Sequence, residues 1–347
     1  MSSTPLPHII TVFNDVLWSF HHIVLPICFI LGNIGNCLNL LLFSQRSSRA
    51  NSCLLYFLSA SVINIFILNV GLVLRILRGI WNIDPALKFV WFCRWRTYFN
   101  SACFLIYRYS ILLACIDRAC ASSRNARIRM FSRPKVAYLL VVVIWIFFCI
   151  YLVPSWIFTT IMFGQCLAPP GSTFATYQTV GGLFHAVLIP STMIISGIVI
   201  IRHLKVRNTH VAPLNPATAD ERKVAGQFFM MLVIQVVADF ICNLLFPCYL
   251  AATLINPTLP TLQNGAFGFF MVNLSLNIPY LNYSAGFYLH TLSSSSFRQK
   301  FLHLLRQYIC FQRFLARHQP GQNTQTIPMM VIRVGNTTAV NRIMTQV

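Results

Sequence analysis

Residues 136–163 of the chain are VAYLLVVVIWIFFCIYLVPSWIFTTIMF, and none of these side chains is charged. About 20 consecutive apolar residues are enough for a helix to cross the hydrocarbon core of a bilayer. Comparable stretches recur along the sequence, which is 56% hydrophobic and 9% charged with a mean hydropathy of +0.67. Since a soluble domain carries about 25% charged residues, the sequence predicts a membrane protein and excludes soluble enzymes and disordered proteins.

The charge balance is strongly basic, with 26 Lys and Arg against 6 Asp and Glu and a net charge of +20. Proteins that bind nucleic acid also carry such a charge, but they are far less apolar than this chain. A nucleic-acid partner is therefore excluded.

Seven apolar stretches are long enough to span a bilayer. Each is predicted to be a helix, because backbone groups in lipid must be hydrogen-bonded within the segment, and none shows the alternating pattern of an outer-membrane barrel. The predicted fold is an all-α membrane protein, a seven-transmembrane helix bundle. The predicted spans are His21–Phe43, Leu54–Leu77, Val90–Cys120, Val136–Phe163, Val180–Ile201, Val224–Leu254 and Ala266–Leu292.

The positions of Lys and Arg, which collect in cytoplasmic loops, predict the orientation of the bundle. With the N-terminus outside, most of them fall in the inner loops and the tail. The predicted layout is an extracellular N-terminus at 1–20, a seven-transmembrane domain at 21–292, an amphipathic juxtamembrane helix at 293–318 and a disordered cytoplasmic tail at 319–347. The first 20 residues lack a basic start and a small-residue cleavage site, so no removable signal peptide is predicted. A multi-pass protein of the plasma membrane is expected.

The placement of the 12 cysteines agrees with this orientation. Ten lie in spans or on the cytoplasmic side, where thiols stay reduced. Cys93, at the start of the third span, and Cys166, in the second outer loop, are the two that face outside. One disulfide between them is predicted, and two unpaired thiols are the alternative.

Apolar and basic side chains alternate at helical spacing after the last span. The apolar positions are Phe297, Phe301, Leu304, Leu305 and Tyr308, and the basic positions are Arg298, Lys300, His303 and Arg306. The pattern predicts a short amphipathic eighth helix on the inner leaflet, with membrane lipids as partners. Cys310 is a candidate for palmitoylation, with an unmodified interfacial cysteine as the alternative. The last residues, Thr345–Val347, fit the carboxyl terminus that some PDZ-domain proteins bind.

The third span carries the most specific pattern. Arg118 lies 25 residues after Cys93, in the triplet Asp117-Arg118-Ala119. In this the chain resembles the rhodopsin-like (class A) G-protein-coupled receptors, which pair an outer cysteine with an Asp-Arg-Tyr motif at that distance. The resemblance covers roughly residues 20–310. Further helix landmarks that match the family are Asn36, Trp145, Pro190, Pro247 and Phe297.

The resemblance implies a switch at the inner end of the third helix. Arg118 would be held inward at rest and released toward a heterotrimeric G protein when the sixth helix swings out. A charged pair at the end of a span is costly, so such residues are candidates for a functional role. The alternative is that Arg118 is one more of the basic residues that collect on the cytoplasmic side. Pro247 fits a hinge in the sixth helix; the alternative is that prolines are simply common in membrane helices.

Several positions depart from the family pattern. Val62 is expected where the family has a sodium-binding acidic residue, so that site is predicted to be absent. Leu245 stands where the family has a tryptophan in the sixth helix, and Ala119 stands where it has the tyrosine beside Arg118. The Asn-Pro-x-x-Tyr motif of the family is replaced by Gly286–His290. Its proline position holds Phe287, and in this the chain is similar to some invertebrate peptide receptors of the FMRFamide type. The chain therefore resembles a divergent invertebrate orphan receptor whose activation relay is altered.

The ligand class is narrowed mostly by subtraction. Asn100 stands where amine receptors of this family have an aspartate, and the seventh span contains no lysine for a retinal Schiff base. Asn100 and Tyr280 are the candidate ligand-pocket residues. The outer end is net positive, which favours an anionic group such as a peptide carboxylate, or else lipid phosphates; a neuropeptide is one candidate ligand. The outer basic side chains are Arg75, Arg78, Lys88, Arg94 and Arg96.

Two charges lie near the middle of spans, Arg108 in the third and Asp239 in the sixth. A buried guanidinium without a partner is expensive, so a direct pair between these two side chains is one hypothesis. Hydrogen bonds from Arg108 to helix carbonyls or hydroxyls are the alternative.

No enzyme is predicted, because no catalytic or metal-binding pattern such as His-Glu-x-x-His is present, and no cofactor or metal is expected. A polytopic transporter is the rival class, although the sequence has neither an internal repeat nor paired broken helices. A receptor-like protein that no longer signals is the third hypothesis.

Overall fold

A computed structural model of the protein describes residues 6–162, 165–169, 171–210, 216–248, 251 and 266–317. The chain divides into two compact units, Met1–Leu302 and His303–Val347. Six helical segments within the described residues are long and apolar enough to cross a membrane, which confirms an all-α membrane protein. They are Ile9–Phe43, Ser52–Trp81, Val90–Ser122, Pro134–Phe158, Thr173–His203 and Gly226–Cys248.

Fourteen α-helices lie wholly within the described residues. They are α1 Leu6–Ser19, α2 Leu25–Phe43, α3 Arg46–Arg49, α4 Ser52–Phe66, α5 Val73–Trp81, α6 Val90–Ser122, α7 Ala126–Arg129, α8 Pro134–Tyr151, α9 Val153–Phe158, α10 Thr173–His210, α11 Pro216–Asn243, α12 Ala266–Asn277, α13 Pro279–Ser293 and α14 Ser295–Arg317. π-Helical turns at Phe20–Val24 and Ile67–Leu72 join α1 to α2 and α4 to α5, and a 3₁₀ turn covers Pro85–Leu87.

The first helical segment starts earlier than the sequence predicts. Residues assigned to an extracellular N-terminus at 1–20 are helical from Leu6 onward, and the candidate span begins at Ile9 rather than at His21. No proline or glycine interrupts the chain between Leu6 and the π-helical turn apart from Pro7 in the first turn, where proline is tolerated. The backbone therefore continues as a helix beyond the length that a bilayer requires.

The seventh predicted span, Ala266–Leu292, is divided into α12 and α13, of 12 and 15 residues. Pro279 explains the break, because it has no N–H to donate and its ring clashes with the carbonyl of Ser275, four residues earlier. In the same way, the ring of Pro247 clashes with the carbonyl of Asn243, four residues earlier, and α11 ends at Asn243. After a bend at Leu244, residues 245–248 are helical again. Pro190 lies inside α10 without ending it.

Packing within the first unit joins α4 to α6, α2 to α13, α6 to α10 and α11 to α13. Side chains at the centre of these contacts are large and fully buried, including Tyr56, Tyr107 and Phe148. The outward face of α8 is also apolar: Leu139 and Ile150 are 61% and 66% exposed. A helix that is hydrophobic all round suits lipid rather than water.

Close packing of α2 on α13 depends on Gly32. A Cβ at this position would lie 2.7 Å from Ser284 Oγ and from Leu68 Cδ1. The two helices approach closely here because glycine has no side chain. This approach brings Asn36, one turn further along α2, to the backbone of α13.

Candidate functional site

Asp117 and Arg118 form an ion pair near one end of α6, about 37 Å along the helix axis from Cys93, with a buried carboxylate and a partly buried guanidinium. Arg118 Nη2 and Nε donate to Asp117 Oδ2 at 2.6 and 3.0 Å. Arg118 Nη2 also donates to Asn51 Oδ1 and Ser52 Oγ, both at 3.2 Å. The guanidinium thereby links the end of α6 to the start of α4.

The carboxylate of this pair has capacity for another donor. Asp117 is 4% exposed, and its Oδ1 is buried without a hydrogen-bond partner. The Arg118 side chain is 15% exposed. A charged side chain that reaches the surface from such a pair can change partners at lower cost than one enclosed on all sides.

Asn36 sits at the junction of three helices. Its Nδ2 donates to Gly32 O at 2.8 Å and to Tyr283 O of α13 at 3.0 Å. Its Oδ1 accepts from Asn64 Nδ2 of α4 at 3.2 Å. The residue of α4 that bonds to Asn36 is therefore Asn64, whose neutral amide is a poorer cation ligand than a carboxylate.

Trp145, a second predicted landmark, lies against α4. Its Nε1 donates to Ser59 Oγ at 3.0 Å, and Ser59 Oγ lies 3.2 Å from Ser110 Oγ of α6. These contacts connect α8, α4 and α6. Buried hydroxyls that bond to one another satisfy polar groups that lipid cannot.

Phe297, the landmark at the start of α14, is 3% exposed. Its ring packs against Phe43, Phe287 and His290, with centroid separations of 5.7, 5.8 and 5.9 Å. The aromatic side chains at the divergent seventh-helix positions therefore have a packing role at the junction of α2, α13 and α14.

A cluster of buried polar side chains ties α6, α11 and α13 together. Gln235 Nε2 donates to Tyr107 Oη at 2.8 Å and to Asn282 Oδ1 at 3.0 Å. Asn282 Nδ2 donates to Tyr107 Oη and to Asp239 Oδ1, both at 3.1 Å. Sequence reasoning missed Tyr107, Gln235 and Asn282, although polar residues within apolar stretches were an available signal.

Arg108 and Asp239 are paired directly, as one of the two sequence hypotheses proposed. Arg108 Nε lies 3.4 Å from Asp239 Oδ2, and the Asp239 side chain is 3% exposed. The approach is an ion pair without an aligned hydrogen bond, because Arg108 Nε has no hydrogen-bond partner among the described residues. Asp239 thus connects the central cluster to Arg108.

A cavity of about 410 Å³ lies next to Arg108. Residues from α6, α8, α10, α12 and α13 line it, with Asn243 at the end of α11 and Pro247 beyond it. Its walls include Phe104, Tyr151 and Tyr283. Polar side chains, among them Gln178 and Thr179, also belong to the lining. A concave site that combines apolar surface with polar groups is typical of small-ligand sites.

The predicted pocket residues Asn100 and Tyr280 are not among the residues that line this cavity. They lie together beside Gly71 of the π-helical turn, where a Cβ would be 3.0 Å from Asn100 Oδ1 and 2.9 Å from Tyr280 Oη. Tyr280 is 1% exposed. The cavity instead lies on the face of α6 that carries Arg108.

Cys93 and Cys166 are joined by a disulfide with a Cα–Cα separation of 5.6 Å, which confirms the predicted pair. Cys166 belongs to strand β2 (Gln165–Leu167), which pairs antiparallel with β1 (Thr160–Met162). The disulfide therefore anchors a two-stranded hairpin to the start of α6.

The basic side chains that are predicted to lie on the outer side are partly neutralised. Asp84, which is 6% exposed, accepts from Arg96 Nη1 at 2.9 and 3.0 Å and lies 3.5 Å from Arg78 Nη1. Arg94 Nε donates to Thr159 O at 3.0 Å. The positive field that the sequence suggests at this end is smaller than the number of arginines implies.

Some predicted sites cannot be placed. The side chain of Cys310, predicted to be palmitoylated, and residues Thr345–Val347, predicted to bind a PDZ domain, lie outside the described residues. Within the described part of the chain, no group of three or more His, Cys, Asp or Glu could hold a metal ion.

Comparison of the chain with models of known protein families and with curated proteins finds no match.

Proposed function

We propose that the chain is a rhodopsin-like G-protein-coupled receptor of the plasma membrane, which transduces binding of an extracellular ligand to heterotrimeric G proteins. In this proposal α12 and α13 together form a seventh span, the N-terminus is extracellular, and α14 is an eighth helix on the inner leaflet. The ligand is extracellular and small or peptidic, with neuropeptides among the candidates.

The observation that carries the proposal is the Asp117–Arg118 ion pair, whose carboxylate is buried, at the opposite end of α6 from the Cys93–Cys166 disulfide. A disulfide belongs to the oxidising, extracellular side. The pair is then cytoplasmic, in the same region as the basic inner loops. Charged side chains within a membrane helix are costly and face the interior of the bundle rather than lipid. Such a pair is therefore a candidate for a functional role.

The contacts of Arg118 suggest how the switch operates. Its bonds to Asn51 and Ser52 hold the guanidinium against α4. The helix break between Asn243 and Pro247 offers a hinge for α11, and the bonds of Asn282 and Gln235 restrain that helix. Ligand binding that loosens these restraints would let α11 move and Arg118 turn toward an acidic face of a G protein.

The test is nucleotide exchange on purified heterotrimeric G proteins, added to nanodiscs that hold the full-length protein. Wild type is compared with Arg118→Ala and with Arg124→Ala, an exposed arginine just beyond the same helix that serves as the matched control. Amidated peptides and small organic anions are the ligand panel. We expect wild type and Arg124→Ala to accelerate exchange by at least one G protein, and Arg118→Ala to lose that acceleration.

Exchange rates equal to those of empty nanodiscs for every G protein and every ligand would overturn the proposal in favour of a protein that no longer signals. Nucleotide exchange that persists in Arg118→Ala would show that Arg118 is not the switch.

Transport is the second candidate, favoured by the helix breaks near Leu244 and Ile278. Discontinuous helices are a common component of transporter sites. Here, however, the breaks lie in helices that are neighbours in sequence rather than in corresponding halves of a repeat. Uptake of the same panel into proteoliposomes, in wild type and Arg118→Ala alike, would favour transport over signalling.

A further inference from the structure

The cavity beside α6 combines apolar walls with two side chains that have unused hydrogen-bonding capacity. Phe104, Leu152 and Phe246 contribute apolar surface, and Arg108 and His185 are among the polar residues of the lining. Arg108 is the one Asp, Glu, Lys or Arg side chain among the described residues that line the cavity. A ligand would therefore meet positive charge and no carboxylate on these walls.

Arg108 is poorly satisfied by its present partner. Five N–H groups of a guanidinium are available as donors, yet Nε has no hydrogen-bond partner and Asp239 Oδ2 lies 3.4 Å away. Asp239 has other donors besides Arg108. Its Oδ1 accepts hydrogen bonds from Asn243 Nδ2 at 3.0 Å and from Asn282 Nδ2 at 3.1 Å. The guanidinium can thus bind a second acceptor while the aspartate keeps two donors.

His185 supplies the second polar group. The residue is 9% exposed, and its Nε2 is buried without a hydrogen-bond partner. Its Nδ1 lies 2.9 Å from Tyr109 Oη, and its ring packs edge-on against Tyr151. When the Tyr109 hydroxyl donates to Nδ1, Nε2 carries the hydrogen and becomes a donor. These contacts fix the ring orientation before any ligand arrives.

We propose that this cavity binds a monocarboxylic acid with an apolar body, whose carboxylate accepts hydrogen bonds from the Arg108 guanidinium and from His185 Nε2. The volume of about 410 Å³ falls in the range of small-ligand sites. The proposal rests on the proposed receptor function in that it names the chemical class of the receptor's ligand. The acid is either a free organic acid or the carboxyl terminus of a short peptide.

Charge decides between a carboxylate and a neutral acceptor. A guanidinium binds a carboxylate through two parallel hydrogen bonds, and bonds to charged partners are roughly twice as strong as neutral ones. A primary amide of the same shape presents one acceptor and no charge. We expect the acid to bind at least about tenfold more tightly than its amide.

Binding is tested on the purified full-length protein in nanodiscs of phosphatidylcholine, as the rise in the unfolding midpoint with ligand concentration. The probes are phenylbutyrate and its amide, for a free acid, and N-acetylphenylalanine and its amide, for a peptide terminus. Stabilisation by at least one acid, at about tenfold lower concentration than its amide, is the expected result. The pair that shows the difference identifies the source of the carboxylate.

Two variants locate the site. Arg108→Gln combined with Asp239→Asn removes both charges, so no unpaired charge remains buried, and should equalise acid and amide. Ala186→Trp fills the cavity with an aromatic side chain and should abolish binding of both. His185→Phe leaves the Arg108–Asp239 pair intact and should weaken binding of the acid. This variant tests the site even if the double variant does not fold. Arg124→Gln is the surface control and should bind as wild type does.

Equal binding of acid and amide by wild type, an acid preference that survives the double variant, or no stabilisation by either acid up to about 1 mM would overturn the proposal. The measurement does not depend on signalling. Acid binding without nucleotide exchange would therefore contradict the receptor proposal alone, and exchange without acid binding would contradict the ligand proposal alone.

Discussion

Replacing Asn282 by alanine removes the side chain that joins α6, α11 and α13. Asn282 makes three buried hydrogen bonds, to Tyr107, Gln235 and Asp239, at 3.0–3.1 Å. Hydrogen bonds between membrane helices contribute about 0.6 kcal/mol on average and up to about 1.7 kcal/mol, so three contribute about 2 kcal/mol. A buried carboxylate that loses one of its donors adds about 1 kcal/mol.

The expected loss of about 3 kcal/mol corresponds to an unfolding midpoint about 6 °C lower, at roughly 2 °C per kcal/mol for a chain of this length. A thiol-reactive fluorescent dye is a suitable probe, since Cys53, Cys103 and Cys115 are buried and react when the bundle opens. A fixed heating rate is needed, because unfolding of such proteins is often irreversible.

Asn273→Ala is the matched control. Asn273 of α12 is partly buried, and within the described structure its side chain donates only to Phe269 O of its own helix, at 2.8 Å. Its replacement should change the midpoint by about 1 °C or less. Equal shifts for Asn282→Ala and Asn273→Ala would refute the cluster as a link between helices. Tyr107→Phe combined with Asn282→Ala should destabilise by less than the sum of the single changes, because both remove one shared bond.

Two further predictions concern the ends of the bundle. Cys166→Ser should destabilise the protein by up to about 4 kcal/mol, because the disulfide closes a loop across 73 positions in sequence. Adding a reductant to the wild-type protein should lower its unfolding midpoint by the same amount. An unfolding midpoint that does not change with reductant would contradict this prediction. Burial lowers the pKa of the Lys300 ammonium, which lies 3.4 Å from Ser48 Oγ. The unfolded chain therefore binds more protons as the pH approaches 10.5, the ordinary pKa, and stability rises there. Lys300→Met should stabilise the protein at neutral pH, with an advantage that shrinks toward pH 10.5, whereas the exposed Arg298→Met should show no such trend.

Local sequence patterns predicted some features well and others poorly. The apolar stretches located six helices that are long and apolar enough to cross a membrane, and the predicted topology selected Cys93 and Cys166, which the structure joins by a disulfide. Counting along a helix was less reliable for contacts across helices. It identified Asn36 as a landmark but not its partner Asn64, because the rotation of α2 and α4 relative to each other decides which side chains meet.

The predicted pocket shows the same difficulty. Asn100 was chosen by its position in the third span, and it lies on the side of α6 that faces Gly71. Arg108 was recognised as unusual, but the sequence left its partner open. His185 attracted no attention, since a single histidine in an apolar stretch has no local signal of its role.

The sequence by itself determined that the chain crosses a membrane as helices, since that depends on the hydrophobicity of contiguous residues and on the need to satisfy the backbone within each segment. The positions of Pro247 and Pro279 likewise determined where helices break, because the clash involves residues four apart. Only the tertiary structure decided which polar side chains meet. The pairing of Arg108 with Asp239, the cluster around Asn282 and the cavity beside them depend on the depth and rotation of separate helices, which side-chain packing between helices sets.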